Sequence, residues 1–220
     1  MLERETFDFL KKLEKNNDRE WFNANKKVFE SANANVTAFT GWLIDKLGKF
    51  DAEVAGLDPK ACVFRIYRDI RFSKDKSPYK TNLGAYVAPG GRKSMAPGYY
   101  FHVQPGRCFF AGGKHMPDGS ELLKIRNAIV KNTDEFLKIV NKKSFRAMFG
   151  ELHGDKLKSS PKGFEPDHEA VEYLKLKEFM AFVEFPNEND VLAPDFPKSL
   201  AKIAKEMYPL ITFLRKALHS

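Results

Sequence analysis

Long apolar runs are missing from this 220-residue chain. Nowhere do about 18 consecutive apolar residues occur, so no helix is expected to span a membrane. The opening Met1-Leu2-Glu3-Arg4-Glu5 also lacks the apolar run of a signal peptide, and a cytoplasmic location is the expectation. Cysteine is scarce: Cys62 and Cys108 have no close spacing and apolar neighbours, as suits buried reduced thiols rather than a disulfide framework. The chain has no Gly-x-Gly-x-x-Gly, no Walker-type glycine loop, no Gly-x-Ser-x-Gly and no Cys-x-x-Cys. These absences remove the signatures of dinucleotide binding, phosphate-loop NTPases, serine hydrolase elbows and thiolate zinc sites. His102, His115 and Asp118 lack the tight spacing of a zinc motif, so neither a metal nor any other cofactor is expected. No Pro/Gly/Ser-rich linker, low-complexity run or internal repeat divides the chain, which points to a single domain over 1–220.

Apolar and aromatic residues are plentiful instead, at 43% and 13%, enough for one substantial core in a chain of this length. The net charge is +8, an excess that attracts nucleic acid, anionic lipid or anionic metabolites. Its distribution is uneven. Arg65, Arg68, Arg71, Lys74, Lys76 and Lys80 face only Asp69 and Asp75, a surplus of four that is half the chain's total.

The pattern predicts helices at both ends and a sheet between them. Phe7, Leu10 and Leu13 share one face of a helix over 6–15, which the Asn16-Asn17 pair breaks. Asp18 is the expected N-cap of the next helix. Apolar recurrence from Trp21 to Leu47 fits one long helix, or two meeting near 31–35, with Gly48 as the stop. Strands are predicted at 62–67, 83–88, 99–104 and 107–111, the last two joined by a Pro105-Gly106 turn. Tyr99, Phe101 and Val103 form the core face, leaving Tyr100 and His102 toward something polar. Gly90-Gly91 and Gly112-Gly113 are read as turn glycines, the latter also able to let backbone amides approach a ligand.

Asp118 and Thr133 are expected to cap further helices, with helical pieces over 142–149 and a loop over 159–167. A strand is predicted to end at Phe185, and a C-terminal helix to start at Pro197 and kink at Pro209. The fold class is therefore α+β: a mostly antiparallel central sheet, about 62–111 plus 176–185, with N-terminal, middle and C-terminal helices packed around it.

The stretch from Phe64 to Thr81 carries the chemistry. Arginine forks suit carboxylates and phosphates, lysine adds point charge, and tyrosines stack on rings. Arg65, Arg68, Arg71, Lys76, Tyr79 and Lys80 are the candidate ligand-binding residues, with Arg126 on a far side. Asp69 and His102 are the candidate acid–base residues, and Asp69 among cations stays ionised.

The run Phe64-Arg65-Ile66-Tyr67-Arg68-Asp69-Ile70-Arg71-Phe72-Ser73-Lys74-Asp75-Lys76-Ser77-Pro78-Tyr79-Lys80-Thr81 resembles the hallmark of a bacterial and fungal family, domain of unknown function 2461. Pro97 to His102, Phe109 to Gly113, the helix around Arg126, Pro161 to Phe164 and Leu174 to Lys177 fit the same family. His115 departs from it, since an aromatic residue is expected after the glycines. The resemblance implies one intracellular domain and no established activity.

Three readings stay open from the residues. The leading one is a cationic, aromatic-lined site for a phosphate-containing or other anionic small molecule, with phosphate-ester chemistry the natural reaction if it is catalytic. A non-catalytic interaction module, in which the cations are an ion-pair lattice, is the first alternative. A nucleic-acid surface is the second.

Overall fold

The computed structural model describes residues 1–219. Along the chain lie α1 (Arg4–Lys15), α2 (Arg19–Ala24), α3 (Lys26–Leu47), α4 (Pro59–Cys62) and β1 (Leu83–Val87). Next come β2 (Gly98–Val103), β3 (Cys108–Lys114), α5 (Gly119–Lys131), α6 (Thr133–Val140) and α7 (Lys143–Phe149). The last are α8 (Val171–Leu174), β4 (Phe179–Phe185), α9 (Glu188–Leu192) and α10 (Phe196–His219). The strands form an antiparallel sheet in the order β1-β2-β3-β4, so the α+β class is established. No described helix is long and apolar enough to cross a membrane.

Where capping chemistry is strong, the elements begin where the sequence puts them. The Asp18 carboxylate accepts from the Trp21 N–H at 2.8 Å and starts α2. Asp118 and Glu121 close a full capping box on α5, each side chain accepting from the other's backbone N–H. Tyr99, Phe101 and Val103 are fully buried, as the alternation in β2 requires.

Three expectations need correction. Cys62–Tyr67 is not a strand. Asp58 caps Pro59 into α4, which uses Cys62, and the residues after it make only isolated bridges, Val63 to Ala85 and Tyr67 to Tyr79. Pro78 has no N–H to continue the second bridge into a ladder, and the sheet begins at Leu83. The helix break falls at Asn25, not near 31–35. The polar residues there stay inside α3, where Asn35 is buried, accepts from Glu3 N–H and Thr6 Oγ1, and donates to Met1 O. Gly112 and Gly113 lie within β3 rather than in a turn. Two differences are smaller: α6 takes Asn132 as its cap while Thr133 bonds back to Ile129 O, and α10 begins at Phe196 and runs through Pro209.

The chain divides into two compact units. The first comprises Met1–Ser94, Tyr100–Phe110 and Glu184–Ala201. Its core joins Phe7, Leu10 and Leu13 of α1 to Val36, Phe39 and Leu43 of α3, all buried, with Phe39 against Phe101 at 5.2 Å. The second comprises Met95–Tyr99, Ala111–Val183 and the described chain from Lys202. It packs Ile125, Ile129, Phe136, Met207, Ile211 and Phe213, with the Phe136 and Phe213 rings 5.3 Å apart.

Candidate functional site: a hollow between an N-terminal helix and the cationic loop

In the first unit, Ile66 to Lys80 doubles back on itself through Arg68 N–H to Pro78 O and Lys80 N–H to Ile66 O, at 3.0 and 2.8 Å. The turn is held from within. Asp75 accepts from Ser77 N–H and Ser77 Oγ, at 2.9 and 2.6 Å, and from the Arg68 guanidinium. Arg68 donates further to Ser77 O and Ser73 Oγ. The base of the loop is clamped from outside by Asn17, whose carboxamide donates to Tyr79 O at 3.0 Å and accepts from Tyr79 N–H at 3.1 Å. A residue read as a helix breaker thus acts as a one-residue substitute for a neighbouring strand. Replacing Asn17 with alanine leaves both Tyr79 backbone groups without it, and a loss of about 1–2 kcal/mol in urea unfolding is expected.

That clamp seats the Tyr79 ring flat on Phe22, with centroids 3.9 Å apart and planes 14° from parallel. Tyr67 leans 5.5 Å from Tyr79 and stays half exposed. Between α2 and the loop lies a hollow of about 360 Å³, lined by Arg19, Asn23, Tyr67, Arg68, Pro78 and Tyr79. Two arginines therefore border one aromatic-floored space. Arg68 is already neutralised by Asp75, whereas no acid or hydrogen-bond acceptor among the described residues engages the Arg19 guanidinium.

Of the candidate ligand-binding and acid–base residues, only Arg68 and Tyr79 line this hollow, together with Tyr67, one of the tyrosines able to stack on a ring. Arg71 closes on Asp69 in a fork, Nε to Oδ1 at 2.9 Å and Nη2 to Oδ2 at 2.6 Å, on an exposed face. That fork pulls the Asp69 carboxyl down to about 2, which keeps it ionised but makes it a weak base at neutral pH. Asp75 is also held at about 2, chiefly by Ser77 and then by Arg68. Lys76 donates to Ile70 O, and Lys80 to Arg65 O while covering the Phe64 ring at 5.4 Å. Arg65 is exposed. Arg126 lies in the second unit, buried, and spends its donors on Leu174 O at 2.7 Å and Leu176 O at 3.2 Å.

His102 stands on β2, stacked on Phe109 at 4.5 Å with planes 10° apart. Its Nε2 lies 2.9 Å from Gln104 Oε1, and its Nδ1 lies 3.0 Å from the Tyr100 hydroxyl and 3.4 Å from Asn82 Nδ2. An Nε2–H ring donating to Gln104 and accepting from Tyr100 satisfies both sides. Both ring nitrogens are thus occupied by neighbours other than Asp69.

Burial lowers the imidazole below its ordinary 6.5, outweighing the Gln104 bond that favours the charged form. The folded state therefore prefers neutral His102. Its contribution to stability is complete above pH 6.5 and is lost progressively as pH falls below that value, where the unfolded chain takes up the proton first. Between pH 7 and 5 the denaturation midpoint of the wild type is expected to fall further than that of His102→Gln. Burial also lifts the Tyr100 phenol to about 12, so its hydroxyl remains a donor throughout.

Arg19, Asn23 and Asn17 were not legible as site residues. Arg19 reads as an ordinary first-turn residue after the Asp18 cap, and only the fold brings it to a loop some fifty positions later. Comparison with known proteins adds one finding: the family model described as conserved hypothetical protein (DUF2461) matches residues 5–213. No curated protein and no solved structure matches the chain.

Proposed function

Because this chain belongs to the DUF2461 family of conserved hypothetical proteins, a membership that carries no reaction, we propose from its geometry that the first-unit hollow binds a phosphate-bearing or other anionic small molecule with an aromatic ring. One observation carries the reading: Arg19, without a partner among the described residues, faces the same aromatic-floored space as Arg68. A guanidinium with free donors favours a phosphoryl or carboxylate group, and a half-exposed tyrosine offers a stacking face. The volume falls at the lower end of small-molecule pockets, about 300–1,000 Å³. The reading is one of binding, since Asp69 and His102 are each occupied elsewhere. Both cysteines are buried and unpaired, which supports placement in a reducing, cytoplasmic setting.

The Arg71–Asp69 and Arg68–Asp75 pairs are what a purely structural lattice would contain, and Arg19 separates the two readings. Titrating phenyl phosphate by calorimetry is expected to give saturable binding that Arg19→Gln weakens about tenfold or more, the worth of a charge-assisted bond. Arg71→Gln, outside the hollow, should change it less than twofold. Absence of heat, or equal losses in both variants, would leave the lattice reading in place.

Nucleic acid remains a second reading because of Phe72, which is 96% exposed in the cationic loop with Arg71 5.9 Å from its ring. Such a ring is a platform for an unpaired base. That reading requires oligonucleotide affinity that falls steeply with salt and drops in Phe72→Ser.

A further inference from the structure

The hollow bordered by Arg19 and Arg68 has a second kind of contact to offer besides charge. Asn23 lines it as well, about one helical turn beyond Arg19 on α2. Residues four apart on a helix share a face, so the guanidinium and the carboxamide address the same space.

The asparagines around α2 show how this sequence ordinarily uses a carboxamide. Asn16 donates to Lys12 O at 2.8 Å and Asn25 to Trp21 O at 2.9 Å. Asn17 engages both backbone groups of Tyr79. Each is spent on fixing the backbone. The Asn23 side chain is exposed beside the hollow and makes no hydrogen bond among the described residues. It presents a donor next to an acceptor, the pattern that pairs with an amino group beside a ring nitrogen on the edge of a base.

Spacing and volume define the rest of the ligand. Four residues of helix rise about 6 Å, and helical side chains lean toward the N-terminus. A group held by Arg19 is therefore set off from an edge held by Asn23 by roughly that distance, which a sugar between phosphate and base supplies. A cavity of about 150 Å³ takes up benzene. The 360 Å³ here leaves room for a phosphoryl group and a sugar beside the ring. Tyr67, half exposed on the loop side, offers the stacking face.

We propose that this hollow takes a nucleoside monophosphate, with its phosphate between Arg19 and Arg68 and the donor–acceptor edge of its base on Asn23. The assignment rests on the anion-binding reading above and adds the identity of the ring.

Calorimetry on the full chain tests it with three probes. Adenosine 5′-monophosphate and purine riboside 5′-monophosphate differ only by the exocyclic amino group, and phenyl phosphate has neither sugar nor base edge. The wild type should bind the amino-bearing nucleotide about fivefold or more tightly than its purine counterpart. Asn23→Leu, at an exposed position where leucine is the better helix former, should erase that preference without weakening phenyl phosphate. Equal affinity of the two nucleotides in the wild type, or a preference that survives in Asn23→Leu, overturns the proposal. Phenyl phosphate binding that depends on Arg19 would then still uphold the anion reading. Failure of all three probes to bind overturns both.

Discussion

Alanine at Gly113 is expected to cost at least about 4 kcal/mol, a large fraction of a typical domain's stability. Two effects combine. Gly113 has φ +139, a backbone conformation that side-chain-bearing residues rarely adopt, and a Cβ built there would lie 2.0 Å from Phe179 O. Backbone oxygen cannot step aside without breaking strand pairing. Gly112 makes the internal comparison. Its added Cβ would meet Met207 Sδ at 2.8 Å, the end of a flexible side chain, and its φ is ordinary. Gly112→Ala should therefore cost only about 1–3 kcal/mol. In thermal melts this corresponds to a fall in Tm of at least roughly 8–16 °C for Gly113→Ala against roughly 2–12 °C for Gly112→Ala, with Gly113→Ala the lower-melting of the two. Equal effects would mean that Gly113 is not the point of close approach.

The second large effect centres on Lys114, a lysine only 1% exposed within the second unit. Its ammonium donates to Met95 O and Glu121 Oε1, both at 2.6 Å. Glu121 serves twice, because its other oxygen accepts from Asp118 N–H to complete the cap of α5. Glu121→Ala leaves a buried cation with a single neutral partner and opens the helix start. A loss of about 3–5 kcal/mol in urea unfolding is expected. Lys114→Met, which removes the charge and keeps most of the stem's volume, should cost less. The double variant should cost less than the sum of the singles, since the pair acts as a unit. Strict additivity would contradict the pairing.

Local rules made part of this fold readable and long-range contacts hid the rest. Asp18 and Asp118 announce α2 and α5 because a cap acts within three residues. The alternation of Tyr99 to Val103 announces β2 because a half-buried strand has period two. The same alternation misled at Cys62–Tyr67, where Pro59 and Pro78 decide against a ladder. Asn35 looked like a break because its polarity is visible in sequence and its partners, Met1, Glu3 and Thr6, are not. The cationic loop was legible as a concentration of charge. Which charges cancel was not: the spacing of Arg68, Asp69, Arg71 and Asp75 permits several pairings, and turn geometry selects among them. Asn17 and Arg19 were invisible as site residues because their partner is reached only through the packing of α2 on the loop.

Crystals soaked with phenyl phosphate test most directly whether that loop and α2 form one receptor. The expected outcome is a phosphoryl group with oxygens about 2.7–3.2 Å from both the Arg19 and Arg68 guanidinium nitrogens, and the ring against Tyr67. An empty hollow at saturating ligand, or density confined to the Arg71–Lys74 face, would contradict it.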